Sequence, residues 1–154
     1  MTVLVDTNVW LRRVQPNHPH HKPAVENVGR LLDAGEALCF TPQNIAEFWN
    51  VMTRPVASNG LGFSTSQTSA EIAKIEAIFT LLPDTPAIYV EWKRLVSKHN
   101  VQGVQVHDSR LVASMNVHGG WNLPPLEKRA IRAHTGTPYQ MLILGRGVWS
   151  QKDN

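Results

Sequence analysis

An α/β fold built on a parallel sheet is expected of this chain on three grounds. It opens with a short run of β-branched and aliphatic residues, Met1-Thr2-Val3-Leu4-Val5, too brief for a helix and apolar on both faces, as in a strand at the centre of a sheet. A helical stretch and a second apolar strand follow before residue 41, and strand–helix–strand is the unit from which parallel sheets are made. The 154 residues, 42% of them apolar, suit one domain with a core that needs no covalent staples.

The opening strand ends in Asp6-Thr7-Asn8. Val9, Trp10 and Leu11 resume an apolar pattern, so the chain turns at Thr7-Asn8 and enters a helix with one of these two near its cap. In open α/β sheets ligands bind at the carboxyl edge of the strands, which makes Asp6 the first candidate for chemistry. The bland account is that Asp6 only caps the helix. The loop from Gln15 to His21 holds His18, His20 and His21 among prolines, a poor rigid ligand set, and reads as a solvated loop near the mouth of the site. Residues 22–33 form an amphipathic helix with Val25, Val28, Leu31 and Leu32 inward, closed by Gly35. The second strand, residues 37–41, contains Cys39, the single cysteine, expected to be a small core residue rather than a nucleophile.

Residues 42–52 read as a helix with Thr41 as cap, Pro42 at its first position and a core stripe of Ile45, Phe48, Trp49 and Met52. Glu47 lies off that stripe. It is either a solvated surface acid or, starting from the same sheet edge as Asp6, a side chain that reaches back over that edge. After a loop to Thr65, a helix over 66–82 is expected with Ile72, Ile75, Phe79 and Leu82 inward, ended by Pro83. Another over 86–99 has Val90, Leu95 and Val96 as core candidates. Asp108 then begins a helix, sharing its apolar face with Leu111, Val112 and Met115, where a carboxylate needs a cation, a cap or a metal as partner.

With Asp6, Glu47 and Asp108 all standing at sheet-edge junctions, the chain resembles the PIN-domain family of ribonucleases and, within it, the VapC-type toxins. The resemblance rests on Leu4-Val5-Asp6-Thr7-Asn8-Val9-Trp10-Leu11, then Gln43-Asn44-Ile45-Ala46-Glu47-Phe48-Trp49, then His107-Asp108-Ser109-Arg110-Leu111-Val112-Ala113, in that order, and covers roughly residues 1–119. It implies a three-layer α/β/α sandwich in which clustered acids hold Mg²⁺ or Mn²⁺ and hydrolyse RNA. Asp6, Glu47 and Asp108 would be the metal ligands, with Asn8 and Ser109 orienting Asp6 and Asp108. It also implies an antitoxin partner and, dimers being frequent in the family, a homodimer. The family's pattern fails after Gly119, where Gly120-Trp121-Asn122-Leu123-Pro124-Pro125 replaces an expected strand and only Glu127 could stand in for a fourth acid. Residues 1–120 balance 10 basic against 10 acidic side chains, so the whole net charge of +3 comes from residues 121–154.

The domain is therefore drawn at 1–119, and residues 120–154 form a divergent or frame-shifted tail, not a second domain, expected to be irregular apart from a conceivable edge strand at Met141-Leu142-Ile143-Leu144. Two functional readings stay open: a toxin endoribonuclease, or a catalytically weak or inactive RNA- or protein-binding remnant lacking the fourth acid. A phosphotransferase of the haloacid-dehalogenase type is disfavoured, because such enzymes need an acid where Asn8 stands. No signal peptide or membrane partner is expected, since Asp6 interrupts the first apolar run and no stretch approaches the ~20 apolar residues of a span. A reducing cytoplasm is the default compartment.

Overall fold

The computed structural model describes residues 2–119 and, as backbone, residues 139–142. The opening run forms β1 (Thr2–Val5), buried over Val3, Leu4 and Val5 because layers cover both of its faces. It pairs in parallel with β2 (Ala37–Phe40) on one side and β4 (Tyr139–Leu142) on the other, and β3 (Thr80–Leu81) pairs in parallel with β2. The order among the described residues is β3-β2-β1-β4. Because every pairing is parallel, all four strands deliver their carboxyl ends to one edge.

The two-residue period of the strands sorts the core into two faces. Val3, Val5, Leu38 and Phe40 point into a cluster with Trp10, Phe48, Met52, Ile75 and Phe79, supplied by α1 (Thr7–Arg13), α2 (His21–Asp33), α3 (Pro42–Thr53), α4 (Thr65–Glu76) and the turn after it. Leu4 and Cys39 point the other way, onto Leu111 and Met115 of α6 (Gln105–Gly119). Helix α5 (Pro86–Lys98) packs on α6 through Ile88, Leu95, Val112 and Ala113. The result is the expected α/β/α sandwich. Trp10 sits at the centre of the first face, with the rings of Phe40, Phe48 and Phe79 set edge-on to it at 6.0, 6.4 and 5.7 Å. No described helix is long and apolar enough to cross a membrane.

Several expectations need correction. The cap of α1 is Asp6 itself, not Thr7 or Asn8. The inward face of α2 runs through Ala24, Val28 and Leu31, leaving Val25 and Leu32 in solvent; periodicity alone admits a face rotated by one position, and packing against α1 chooses. Trp49 and Val90 are likewise outward, whereas Ile88 is buried. The helix expected over 66–82 stops at Glu76, and residues 80–81 form β3, because Cys39 and Phe40 offer backbone partners that two residues cannot announce in sequence. Helix α6 begins at Gln105, so Asp108 lies within its first turns rather than at its start, on the solvent side.

The histidine loop is exposed at His18 and His20, and the His21 ring bonds the Arg12 carbonyl. Cys39 is the buried core residue it was expected to be, its thiol donating to the Val3 carbonyl. The apolar run near the end supplies β4 at 139–142, two positions earlier than foreseen. The remainder of the tail, Glu127 included, lies outside the described residues.

Candidate active site

Asp6 leaves β1 with extended backbone (φ −70°, ψ 148°) and its Oδ2 accepts the Asn8 backbone N–H at 3.0 Å, so the acid that ends the strand also starts α1. The next residue points inward. Thr7 is 4% exposed, and its hydroxyl donates to Glu47 Oε2 at 3.0 Å while accepting from Asn44 Nδ2 at 3.3 Å. Asn44 in turn is fully buried: its Oδ1 accepts from the Thr41 backbone N–H at 3.0 Å and the Thr41 hydroxyl at 2.8 Å, closing the capping box that starts α3. The polar chain Thr41–Asn44–Thr7 thus fixes α3 against α1 and presents Glu47 to the edge where Asp6 stands.

Gln43 ties in the third element. One helical turn before Glu47, its Nε2 donates to Glu47 Oε1 at 2.8 Å and to the His107 carbonyl at 3.2 Å, joining α3 to α6 beside Asp108. Its Oε1 accepts from Arg110 Nη1 at 3.2 Å, and Arg110 Nη2 pairs with Asp84 at 2.8 Å. Each Glu47 oxygen therefore has one neutral donor. The Ser109 hydroxyl bonds the Gln105 carbonyl one turn back, at 2.9 Å; no described bond joins it to Asp108, the carboxylate it was expected to orient.

Both aspartates sense the Glu47 charge. Burial raises the Asp6 pKa above the ordinary aspartate value, and the nearby Glu47 and Asp108 charges push it further, against the lowering effect of the Asn8 backbone and side-chain bonds. Asp108 is raised too, first by partial burial of its carboxyl and then by Glu47, with His107 opposing. Its residue as a whole is exposed, so solvent reaches this acid most easily. Among the described residues none of the three is in an ion pair.

These are oxygen donors only, none of them ion-paired among the described residues, a set that suits a hard divalent ion. As placed, no three His, Cys, Asp or Glu side chains among the described residues close into a ready cage. That is compatible with Mg²⁺, which commonly takes one or two carboxylates and fills its remaining positions with water and phosphate. Glu127 precedes β4 in sequence, and the residues that follow β4, Ile143-Leu144-Gly145-Arg146, include no acid.

A family model described as PIN domain matches residues 3–121. This chain belongs to the PIN-domain family. The family assignment covers all three acids and the whole described sandwich except β4. VapC20 of Mycobacterium tuberculosis, described as a Sarcin-Ricin loop cleaving toxin, superposes with a TM-score of 0.56 at 16% identity, covering 76% of this chain and 83% of that one. VapBC2 from Rickettsia felis, determined bound to a DNA fragment from its promoter, gives 0.59 at 10% identity, covering 93% and 100%. At these identities the likeness is one of fold. No curated protein sequence matches the chain.

Sequence reasoning named the acids of this PIN domain and missed the residues that hold them. Thr7, Gln43 and Asn44 lay inside the motif stretches, and the i, i+4 spacing of Gln43 and Glu47 was a usable signal. Arg110 gave none, since its partners lie 67 and 26 positions away.

Proposed function

We propose that this PIN domain, residues 1–119 with β4 added from the tail, is a divalent-metal-dependent endoribonuclease and the VapC-type toxin of a toxin–antitoxin pair. The observation that carries the reading is that the Glu47 charge adds to burial in raising the proton affinity of both Asp6 and Asp108, while none of the three acids is in an ion pair among the described residues. Asp6, Glu47 and Asp108 would hold Mg²⁺ or Mn²⁺, which when bound polarises a phosphodiester and makes a water molecule acidic enough to attack it. Thr7 and Gln43 keep both Glu47 oxygens aimed, Asn8 keeps Asp6 in place, and Arg110 offers positive charge beside the acids, where an RNA phosphate would lie. Fold-level neighbours that include a cleaving toxin and a toxin complex support the assignment of RNA as substrate and an antitoxin protein as partner. The cytoplasm is the compartment we assign, and a homodimer the assembly.

A second reading, a weakly active or inactive RNA- or protein-binding remnant, is favoured by one specific feature of the sequence: none of the four residues directly after β4 is an acid. The experiment that separates the two is cleavage of RNA by the full 154-residue chain with and without Mg²⁺, in the natural sequence and as Asp6→Asn or Asp108→Asn. Metal-dependent cleavage lost in both variants, with circular dichroism unchanged, supports the nuclease. Cleavage unchanged in either variant rejects the assignment of that acid, and no cleavage by the natural chain selects the remnant.

A further inference from the structure

Beside the acids lies a feature that the metal chemistry does not use. On α5, Tyr89 and Trp92 stand one turn apart with ring centroids 6.1 Å apart and planes inclined at 34°. Trp92 is anchored: its indole Nε1–H donates to the Val106 carbonyl at 3.1 Å, in the first turn of α6, and its ring packs on the cluster of Ile88, Leu95 and Val112. Tyr89 is 61% exposed. Between them and Arg110 opens a cavity of about 330 Å³, whose wall also includes Thr85 and Ile88. The volume falls at the lower end of ligand pockets, about 300–1,000 Å³.

We propose that this cavity is a subsite for an unpaired nucleobase of the RNA substrate, stacked on Tyr89 and Trp92, with the adjoining phosphate held by Arg110. This rests on the nuclease reading. A large aromatic ring left mostly in water beside a fixed one, at a shallow mutual angle, is a stacking platform of the kind that single-stranded nucleic acid uses, because every base offers a π-face. A base within a duplex has no free face, so the occupant is unpaired. Arg110 has five N–H donors, two of them engaged by Gln43 and Asp84, so donors remain for phosphate. Through Gln43 the same guanidinium is two hydrogen bonds from Glu47, which places the base on a nucleotide close to the bond that is cut.

The test is binding of a single-stranded oligoribonucleotide to the Asp6→Asn protein by fluorescence anisotropy, with Tyr89 retained, Tyr89→Phe and Tyr89→Ala, the fold of each checked by circular dichroism. Tyr89→Ala should weaken binding roughly 5- to 150-fold, the range for loss of one base–aromatic stack, and Tyr89→Phe should restore it. One abasic position in the oligonucleotide should weaken binding to the Tyr89 protein and leave Tyr89→Ala unaffected. With Asp6 intact, Tyr89→Ala should raise KM and leave kcat nearly unchanged. Equal binding by Tyr89→Ala, or equal binding of the same sequence as a duplex, overturns the subsite. A chain whose RNA binding depends on Tyr89 but which never cleaves keeps the subsite and loses the nuclease reading. A chain that cleaves with an unchanged KM in Tyr89→Ala does the reverse, and absence of RNA binding overturns both.

Discussion

Replacing Thr7 by Val tests whether the buried polar chain under Glu47 both holds the fold and aims the acid. Valine keeps the shape of threonine and removes only the hydroxyl, so packing at this 4%-exposed position is preserved. Three contacts go with it: the hydroxyl's donation to Glu47 Oε2, its longer one to the Asn44 carbonyl at 3.4 Å, and the bond accepted from Asn44 Nδ2. Asn44 is fully buried and its amide cannot turn to water, so the orphaned donor costs about 1–3 kcal/mol. Glu47 is only partly buried and can rehydrate, so its loss adds a smaller amount, at the ~0.5–1.5 kcal/mol scale of an ordinary hydrogen bond. A net destabilisation of about 2 kcal/mol corresponds, for a chain of this size, to a drop of about 4–8 °C in Tm. The same change leaves Glu47 with Gln43 as its sole donor among the described residues, and loss of such an orienting contact typically lowers activity or metal affinity about 10- to 100-fold. Thermal melts by circular dichroism and metal-dependent RNA cleavage read the two effects. Thr7→Ser, which restores the hydroxyl, should recover most of both. If Thr7→Val melts with the natural protein, or Thr7→Ser is no better than Val, the polar chain does not have the role argued for it.

Asp6→Asn keeps a good helix cap and removes a charge that burial and two neighbouring acids disfavour. Because the folded-state pKa of Asp6 is raised, its contribution to stability is greatest when protonated and is lost as pH rises through that value; metal-free urea melts should show Asp6→Asn equal or more stable near pH 8, with the advantage shrinking on acidification. An advantage that grows at low pH would contradict this. The Cys39 thiol, pushed up to about 12 by burial, should resist iodoacetamide in the native protein and react only once the chain is unfolded, as mass spectrometry would reveal. Gly60→Ala should cost about 1–3 kcal/mol in denaturant melts, because a Cβ there runs into the Arg54 backbone carbonyl, which cannot swing aside as a side chain would; a neutral effect would mean that the 54–62 turn is free to rearrange.

Much of this molecule was legible along the chain. A strand flanked on both faces by other layers must be apolar on both, so Val3-Leu4-Val5 named the centre of the sheet, and the abrupt Asp6 marked its carboxyl edge. Thr41 and Pro42 announced the start of α3, because capping chemistry is local and needs only the residues beside it. The three acids were legible for the same reason: each follows a junction whose pattern is written within a few positions.

What depends on distant partners was decided by the tertiary structure alone. The inward faces of α2 and α5 turned away from Val25, Leu32 and Val90, because periodicity fixes the spacing of a stripe but neighbours fix which of two adjacent stripes is buried. Strand β3 exists because β2 offers it a ladder, and two residues are too few to carry a period of their own. The support of Glu47 by Thr7, 40 positions away, and the link from Arg110 to Gln43, across 67, arise only when parallel strands bring the starts of α1, α3 and α6 to one edge. Residue type named the acids; the parallel topology brought their elements to a common edge and gave Glu47 the partners that hold it there.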